Sequence, residues 1–281
     1  MAGIGGSRRL WIAAAITIVV GAVIGAAAGY FAWGREKDWY AFRDPASLPA
    51  NPQSELIQYG LSIVVDTATH IGPLASAPAM RFAGNQLACT NCHLNAGLQP
   101  FSSPYVSTFS TYPLMAMDKV ETLTDRINGC LVNSLNGKPL PDDSREMNAL
   151  IAYIQYLGIG TPEGIRVPGM GLLPLAEPAE TPDATRGATI FSGVCAKCHG
   201  ANGAGEPNTS GGGYAIPPLW GNDSFNSAAG MNTIDTASAF IRANMPRGIT
   251  YQAPLLTVQQ AWDVAAYVLS QPRPPVPVAA N

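Results

Sequence analysis

The sequence predicts an all-α fold: two similar helical domains, joined by a Pro/Gly-rich connector and preceded by one N-terminal membrane-spanning helix. Three observations predict it. The pentapeptide Cys-x-x-Cys-His occurs twice, as Cys89-Thr90-Asn91-Cys92-His93 and as Cys195-Ala196-Lys197-Cys198-His199. Apolar residues recur at steps of three and four near both copies, while strand signals are sparse. Residues 10–32 contain no charged side chain. With 281 residues, 47% of them hydrophobic, the chain is long enough for two cores. A net charge of −3 with only 12% charged residues leaves no Lys/Arg run to neutralise phosphates, so nucleic acid is not an expected partner.

Taken in order, the uncharged run comes first. A helix over Leu10–Ala32 rises about 35 Å and crosses a hydrocarbon core of roughly 30 Å. Arg8 and Arg9 precede it, which keeps the N-terminus cytoplasmic and sends the rest of the chain across the membrane. Tyr30, Phe31, Trp33, Trp39 and Tyr40 supply an interfacial aromatic belt. Residues 1–33 are therefore read as a membrane anchor, the alternative being a signal peptide cut after Ala26-x-Ala28; both readings export the chain to the periplasmic side. Gly21, Gly25 and Gly29 give a weak small-x-x-x-small face, and a lone anchor is the default expectation. Residues 34–50 read as a tether.

The first domain is placed at residues 51–158. Leu56, Leu61, Ile63, Val64 and Val65 mark a helix before the first pentapeptide. Lys119 to Leu135 reads as a second helix, with Val120, Leu123, Ile127 and Leu131 on one face and Asn136-Gly137 as its stop. Asp143 or Ser144 caps a third, whose stripe runs Met147, Leu150, Ile151, Ile154, Leu157. Residues 159–180, with Pro162, Pro168, Pro174 and Pro178, read as an interdomain linker.

The second domain is placed at 181–272. It opens on Thr181-Pro182-Asp183, read as an N-cap followed by Pro at the first helical position. It ends in a helix announced by the capping box Thr257/Gln260, with Val258, Ala261, Trp262, Ala265, Val268 and Leu269 inward. Ala152-Tyr153 and Ala266-Tyr267 occupy matching places in the two final helices, so duplication of one domain explains the layout. Residues 273–281 form a Pro-rich, extended tail.

The pentapeptide has a chemical reason. Two thiols three residues apart form thioethers to the two vinyl groups of a haem, and the adjacent imidazole faces the iron. Two covalently attached haem c groups are thus expected, held by Cys89, Cys92, Cys195 and Cys198, with His93 and His199 as proximal ligands. Each domain is cytochrome c-like. A zinc site needs two such Cys pairs to converge, and here about a hundred residues separate them. A nucleotide loop at Gly200–Gly213 is not expected, because the segment follows a haem motif rather than a strand.

Each iron needs a sixth ligand. Cys130 has no partner once four cysteines are consumed, an unusual state for an exported protein. It is read as the distal ligand of the first haem, in thiolate form, which depresses that haem's potential; packing as a small buried hydrophobe is the alternative. Met115, Met117 and His70 compete for the position. For the second haem, Asn244-Met245-Pro246 points to Met245, with Met231 as runner-up, and methionine ligation raises the potential.

The run Asp125-Arg126-Ile127-Asn128-Gly129-Cys130, then Ser134-Leu135-Asn136-Gly137-Lys138-Pro139-Leu140, closely resembles the dihaem thiosulfate dehydrogenases, also called tetrathionate reductases. So do Asn85 to His93 and the block Pro217 to Asn226. The resemblance spans approximately Ser54 to Pro274. It implies His/Cys ligation, by His93 and Cys130, at a first haem where two thiosulfates are joined or tetrathionate is split, and a second haem that relays electrons. It implies thiosulfate, tetrathionate or a related sulfur oxyanion as substrate and a protein such as a small cytochrome c as electron partner. On a helix, Arg126 and Ser134 lie one turn to either side of Cys130 and flank it with a cation and a hydroxyl, while Lys138 adds charge beyond them. Cys130 sulfur is also placed to hold one thiosulfate half. One departure stands out: after Tyr112-Pro113 the family pattern carries a further Arg, whereas Leu114-Met115-Ala116-Met117-Asp118-Lys119 does not. The rival expectation is a membrane-tethered electron carrier without substrate chemistry.

Overall fold

A computed structural model describes residues 38–116 and 118–276. The predicted anchor over residues 1–33, its Gly21/Gly25/Gly29 face, Met117 and the last residues of the tail lie outside the described residues. Among the described residues no helix is long and apolar enough to cross a membrane. Both pentapeptides lie in one compact unit, Tyr40–Asn281.

Each half is built on a helix crossing of the same design. Helix α1 (Pro52–Val65) is capped by the Asn51 side chain, which accepts from Ser54 N–H, and starts with Pro at its first position. The short α2 (Thr67–Ile71) follows it, and helix α4 (Arg145–Leu157) is capped by Ser144. The contact of α1 with α4 is among the most extensive of any helix pair, matched by α5 (Ala184–Ile190) against α8 (Val258–Leu269). In both pairs a glycine lets the backbones touch: a Cβ at Gly60 would run into the Ala149 carbonyl and come to 2.8 Å from Tyr153 Cβ. A Cβ at Gly187 would meet the Asp263 carbonyl and lie 2.9 Å from Tyr267 Cβ. The paired Ala-Tyr positions noted in the sequence are therefore the two sides of one repeated crossing.

Helix α3 (Leu123–Asn133) begins four residues later than the apolar spacing suggests. Thr122 and Asp125 form a reciprocal capping box, with Thr122 N–H donating to Asp125 Oδ2 at 2.9 Å and Asp125 N–H to Thr122 Oγ1 at 3.1 Å. The residues ahead of it, Lys119–Glu121 (β2), pair antiparallel with Leu114–Ala116 (β1), and Val120 faces solvent opposite Met115. The helix α5 likewise starts at Asp183 rather than Thr181, because the Asp183 carboxylate accepts from Thr185 and Arg186 N–H. A π-turn over Phe191–Cys195 then carries the chain into α6 (Ala196–His199) and so delivers the second pentapeptide. A second hairpin, β3 (Glu206–Pro207) with β4 (Tyr214–Ile216), and helix α7 (Ile234–Asn244) complete the second half.

The segment 159–180 contains no helix or strand, as its prolines require, but it is not a free tether. Phe101 N–H donates to Gly169 O at 2.7 Å and Ser103 N–H to Gly171 O at 2.9 Å. Val167 is buried, its N–H donating to Ser107 Oγ. The connector is a strap laid across the first half.

Candidate haem and substrate site

In the first half, residues from seven stretches of chain surround a cavity of about 450 Å³, within the range of cofactor sites. Cys89, Cys92 and His93 line it, as do Arg126 and Cys130, one turn apart on α3, and Ser134 at its C-cap. Much of the remaining wall is apolar, including Val64, Ile71, Leu87, Leu131 and Ile154. The donor set fits a c-type haem: paired thiols, an imidazole beside them, and an aliphatic envelope.

His93 Nδ1 lies 2.6 Å from the Ser103 carbonyl. The hydrogen bond fixes the tautomer with the proton on Nδ1 and leaves Nε2 as the free ligand atom. Burial pushes the imidazole pKa down to about 4, so the ring is neutral, as iron coordination requires. Burial pushes the thiols of Cys89 and Cys92 up to about 11 and about 12, with the charge on Cys130 adding to both. Cys130 is itself raised by burial, and Arg126 pulls in the opposite direction. Arg126 therefore acts on Cys130, on Tyr112 and on His93 at once, which places its guanidinium at the centre of the site's electrostatics. Among the described residues no Asp or Glu lines the cavity, although Glu121 outside it acts on Arg126, Tyr112 and Cys130.

Of the other residues singled out by sequence, Lys138 is not in the wall; it is exposed, and its ammonium sits 5.1 Å from the centre of the Phe82 ring. Met115 is 68% exposed on β1 and His70 lies edge-on to Tyr59, neither lining the cavity. Sequence reasoning missed Arg166, Tyr105 and Tyr112, all in the wall. Tyr105 lies with its ring centre 4.6 Å from that of His93. Arg166 comes from the strap, whose Pro/Gly composition reads as a linker and hides it.

The second half repeats the imidazole clamp. His199 Nδ1 lies 3.0 Å from Pro217 O, and burial lowers its pKa. Cys195 packs on Phe191, Val264 and Val268, with Trp220 and Tyr267 closing the cluster. Met245 follows directly on α7, its N–H donating to Ile241 O, and Met231 sits in the turn ahead of that helix.

The sequence blocks that carry the family resemblance meet in space. Asn85 and Asn136 both donate to Ser224 O, at 3.3 and 2.7 Å, and Gln86 N–H donates to Asp223 Oδ1 at 3.0 Å. Asn226 donates back to Val132 O at 3.1 Å. They are the seam between the halves, and a seam of buried amides tolerates few substitutions because each lost partner strands a polar group.

Comparison with known proteins agrees. Residues 81–162 match the family described as SoxA/TsdA, cytochrome c domain, and residues 184–272 match cytochrome c. The chain is 40% identical over 255 residues to a thiosulfate dehydrogenase of Stutzerimonas stutzeri, covering 90% of this chain and 76% of the relative. It is 35% identical over 256 residues to that of Allochromatium vinosum, covering 88% and 90%. A solved structure of the thiosulfate dehydrogenase TsdBA from Marichromatium purpuratum, in its as-isolated form, superposes with a TM-score of 0.74 at 35% identity, over 83% of this chain and 49% of that one. This chain thus spans about half the length of that protein. With two cytochrome c domains, two c-type haems and these relatives, the chain belongs to the thiosulfate dehydrogenase family.

Proposed function

We propose that this chain joins two thiosulfate dianions into tetrathionate, or runs the reverse, at the first haem, and passes electrons through the second to an acceptor protein such as a small cytochrome c. The observation that carries the reading is the cavity wall itself: haem-anchoring thiols, a clamped imidazole, a fifth cysteine and arginine side chains converge, with no carboxylate among them. When bound, the two haems supply one-electron redox capacity each, matching the two electrons released as one S–S bond forms between two thiosulfates.

His93 and Cys130 would hold the iron of the first haem and His199 and Met245 that of the second, with Met231 as the alternative. Arg126 stabilises a thiolate at Cys130 and attracts the dianion; the Ser134 hydroxyl, one turn on, donates to an oxyanion oxygen. Lys138 is left out of this assignment, since it faces Phe82. Thiolate ligation would lower the first haem's potential and methionine ligation would raise the second's, a difference that would favour electron flow away from the substrate cavity. The domain limits 51–158 and 181–272 and an anchor over residues 1–33, holding both haems on the periplasmic face, complete the reading; the uncharged run after Arg8-Arg9 supports the anchor.

The test is to add thiosulfate to the oxidised dihaem protein and follow haem absorbance and tetrathionate. Thiosulfate-dependent reduction with tetrathionate formed is expected. Reduction by a partner cytochrome alone, with no tetrathionate, would contradict the reading and leave an electron carrier.

A further inference from the structure

We propose that Arg166, on the strap between the two haem halves, is the second cation of the substrate cavity and sets its preference for dianions. The inference rests on the proposed function for the identity of the anion. The segment after Tyr112-Pro113 carries no arginine in this chain, and β1 and β2 turn Met115 and Val120 to solvent there instead. The cavity nevertheless holds two guanidinium groups, Arg126 from α3 and Arg166 from the strap. Tyr112 lies in the same wall, and while burial and then Glu121 raise its pKa, Arg126 and Arg166 both pull it down.

The strap is shaped to present this side chain. Its backbone is pinned on either side of Arg166, by Gly164 N–H to Ser110 O at 2.8 Å and by Val167 N–H to Ser107 Oγ at 3.3 Å. Gly171 folds back at φ +77°, and a Cβ there would stand 2.7 Å from Arg166 Nη2, so the glycine leaves the space the guanidinium uses. Among the described residues the ion pairs gather on Arg186, and neither Arg126 nor Arg166 has a carboxylate partner. Glu121 acts on Arg126 from outside the wall, but two guanidiniums with no carboxylate at ion-pair distance still favour a doubly charged oxyanion over a singly charged one.

The experiment uses the dihaem protein with Arg166→Gln and Arg166→Lys. Arg166→Gln is expected to raise KM for thiosulfate about tenfold or more, the size of one charged hydrogen bond, with kcat changed less than about twofold. Arg166→Lys recovers most of the loss. Calorimetry with sulfate, an inert dianion, should show the same weakening, while binding of nitrate changes little. Unchanged KM and unchanged sulfate affinity in Arg166→Gln would overturn the inference while wild-type turnover upholds the proposed function. Sulfate binding weakened by Arg166→Gln in a protein that never turns over thiosulfate would support the dianion site and overturn the proposed function.

Discussion

The two halves of the molecule share a scaffold and differ in what fills it. Each crosses its first and last helices at a glycine, Gly60 or Gly187, under a tyrosine, and each clamps its histidine Nδ1 on a backbone carbonyl, Ser103 or Pro217. The first half then opens a cavity of about 450 Å³ walled by Arg126, Cys130 and Arg166. The second packs Cys195 against an aromatic cluster of Phe191, Trp220 and Tyr267. The difference teaches that the two halves share a crossing and a histidine clamp, while the segments outside the crossing supply the cysteine and arginines found only in the first half's described cavity.

The largest effect should come from the cavity's own sulfur. Cys130→Ala is expected to lower thiosulfate turnover at least about 100-fold, beyond the 10–100-fold typical of residues that only support a ligand. Steady-state tetrathionate formation measures it, and Met245→Leu in the other half should leave the first haem's reduction by thiosulfate in place while shifting the second haem's potential. Next comes Arg126→Gln, expected to lower kcat/KM about 10- to 100-fold, because a charged hydrogen bond to the dianion is worth about 1.5–3 kcal/mol. The equivalence of the scaffolds is tested by Gly60→Ala and Gly187→Ala. Each forces a methyl into a carbonyl and should cost about 1–3 kcal/mol, read as a fall in thermal midpoint of the affected half.

The smallest effect separates the halves by pH. Asp263 is buried, and burial alone would raise its pKa; hydrogen bonds from Arg186, Asp183 N–H and Gln259 outweigh it and hold the carboxyl below its usual range. A carboxylate depressed in the folded state contributes stability that is present above the unfolded value near 4 and is lost as pH falls through the folded value. Acid should therefore loosen the second half below about pH 4, and Asp263→Asn should flatten that part of the stability profile, followed by circular dichroism.

Much of this architecture was legible beforehand. The two pentapeptides, the caps at Ser144 and Thr257 and the stop at Asn136-Gly137 are local patterns, and the structure places them where the spacing does. Val120 misled because its helical spacing to Leu123 is coincidental: the Thr122/Asp125 box starts the helix and leaves Lys119–Glu121 to pair with β1. Arg166 was hidden because its role depends on long-range hydrogen bonds between the strap and residues 101–110, which no local pattern in a Pro/Gly-rich stretch encodes. Asn85, Asn136 and Ser224 were visible as family signature, and only their meeting across the seam gives that signature a physical reason.

Low-temperature EPR of the fully oxidised protein tests the central assignment most directly. Two low-spin signals are predicted: one with the compressed g-values of thiolate ligation that disappears in Cys130→Ala, the other of the histidine/methionine kind and unaffected. A wild-type spectrum without the thiolate signal, unchanged by Cys130→Ala, would contradict it.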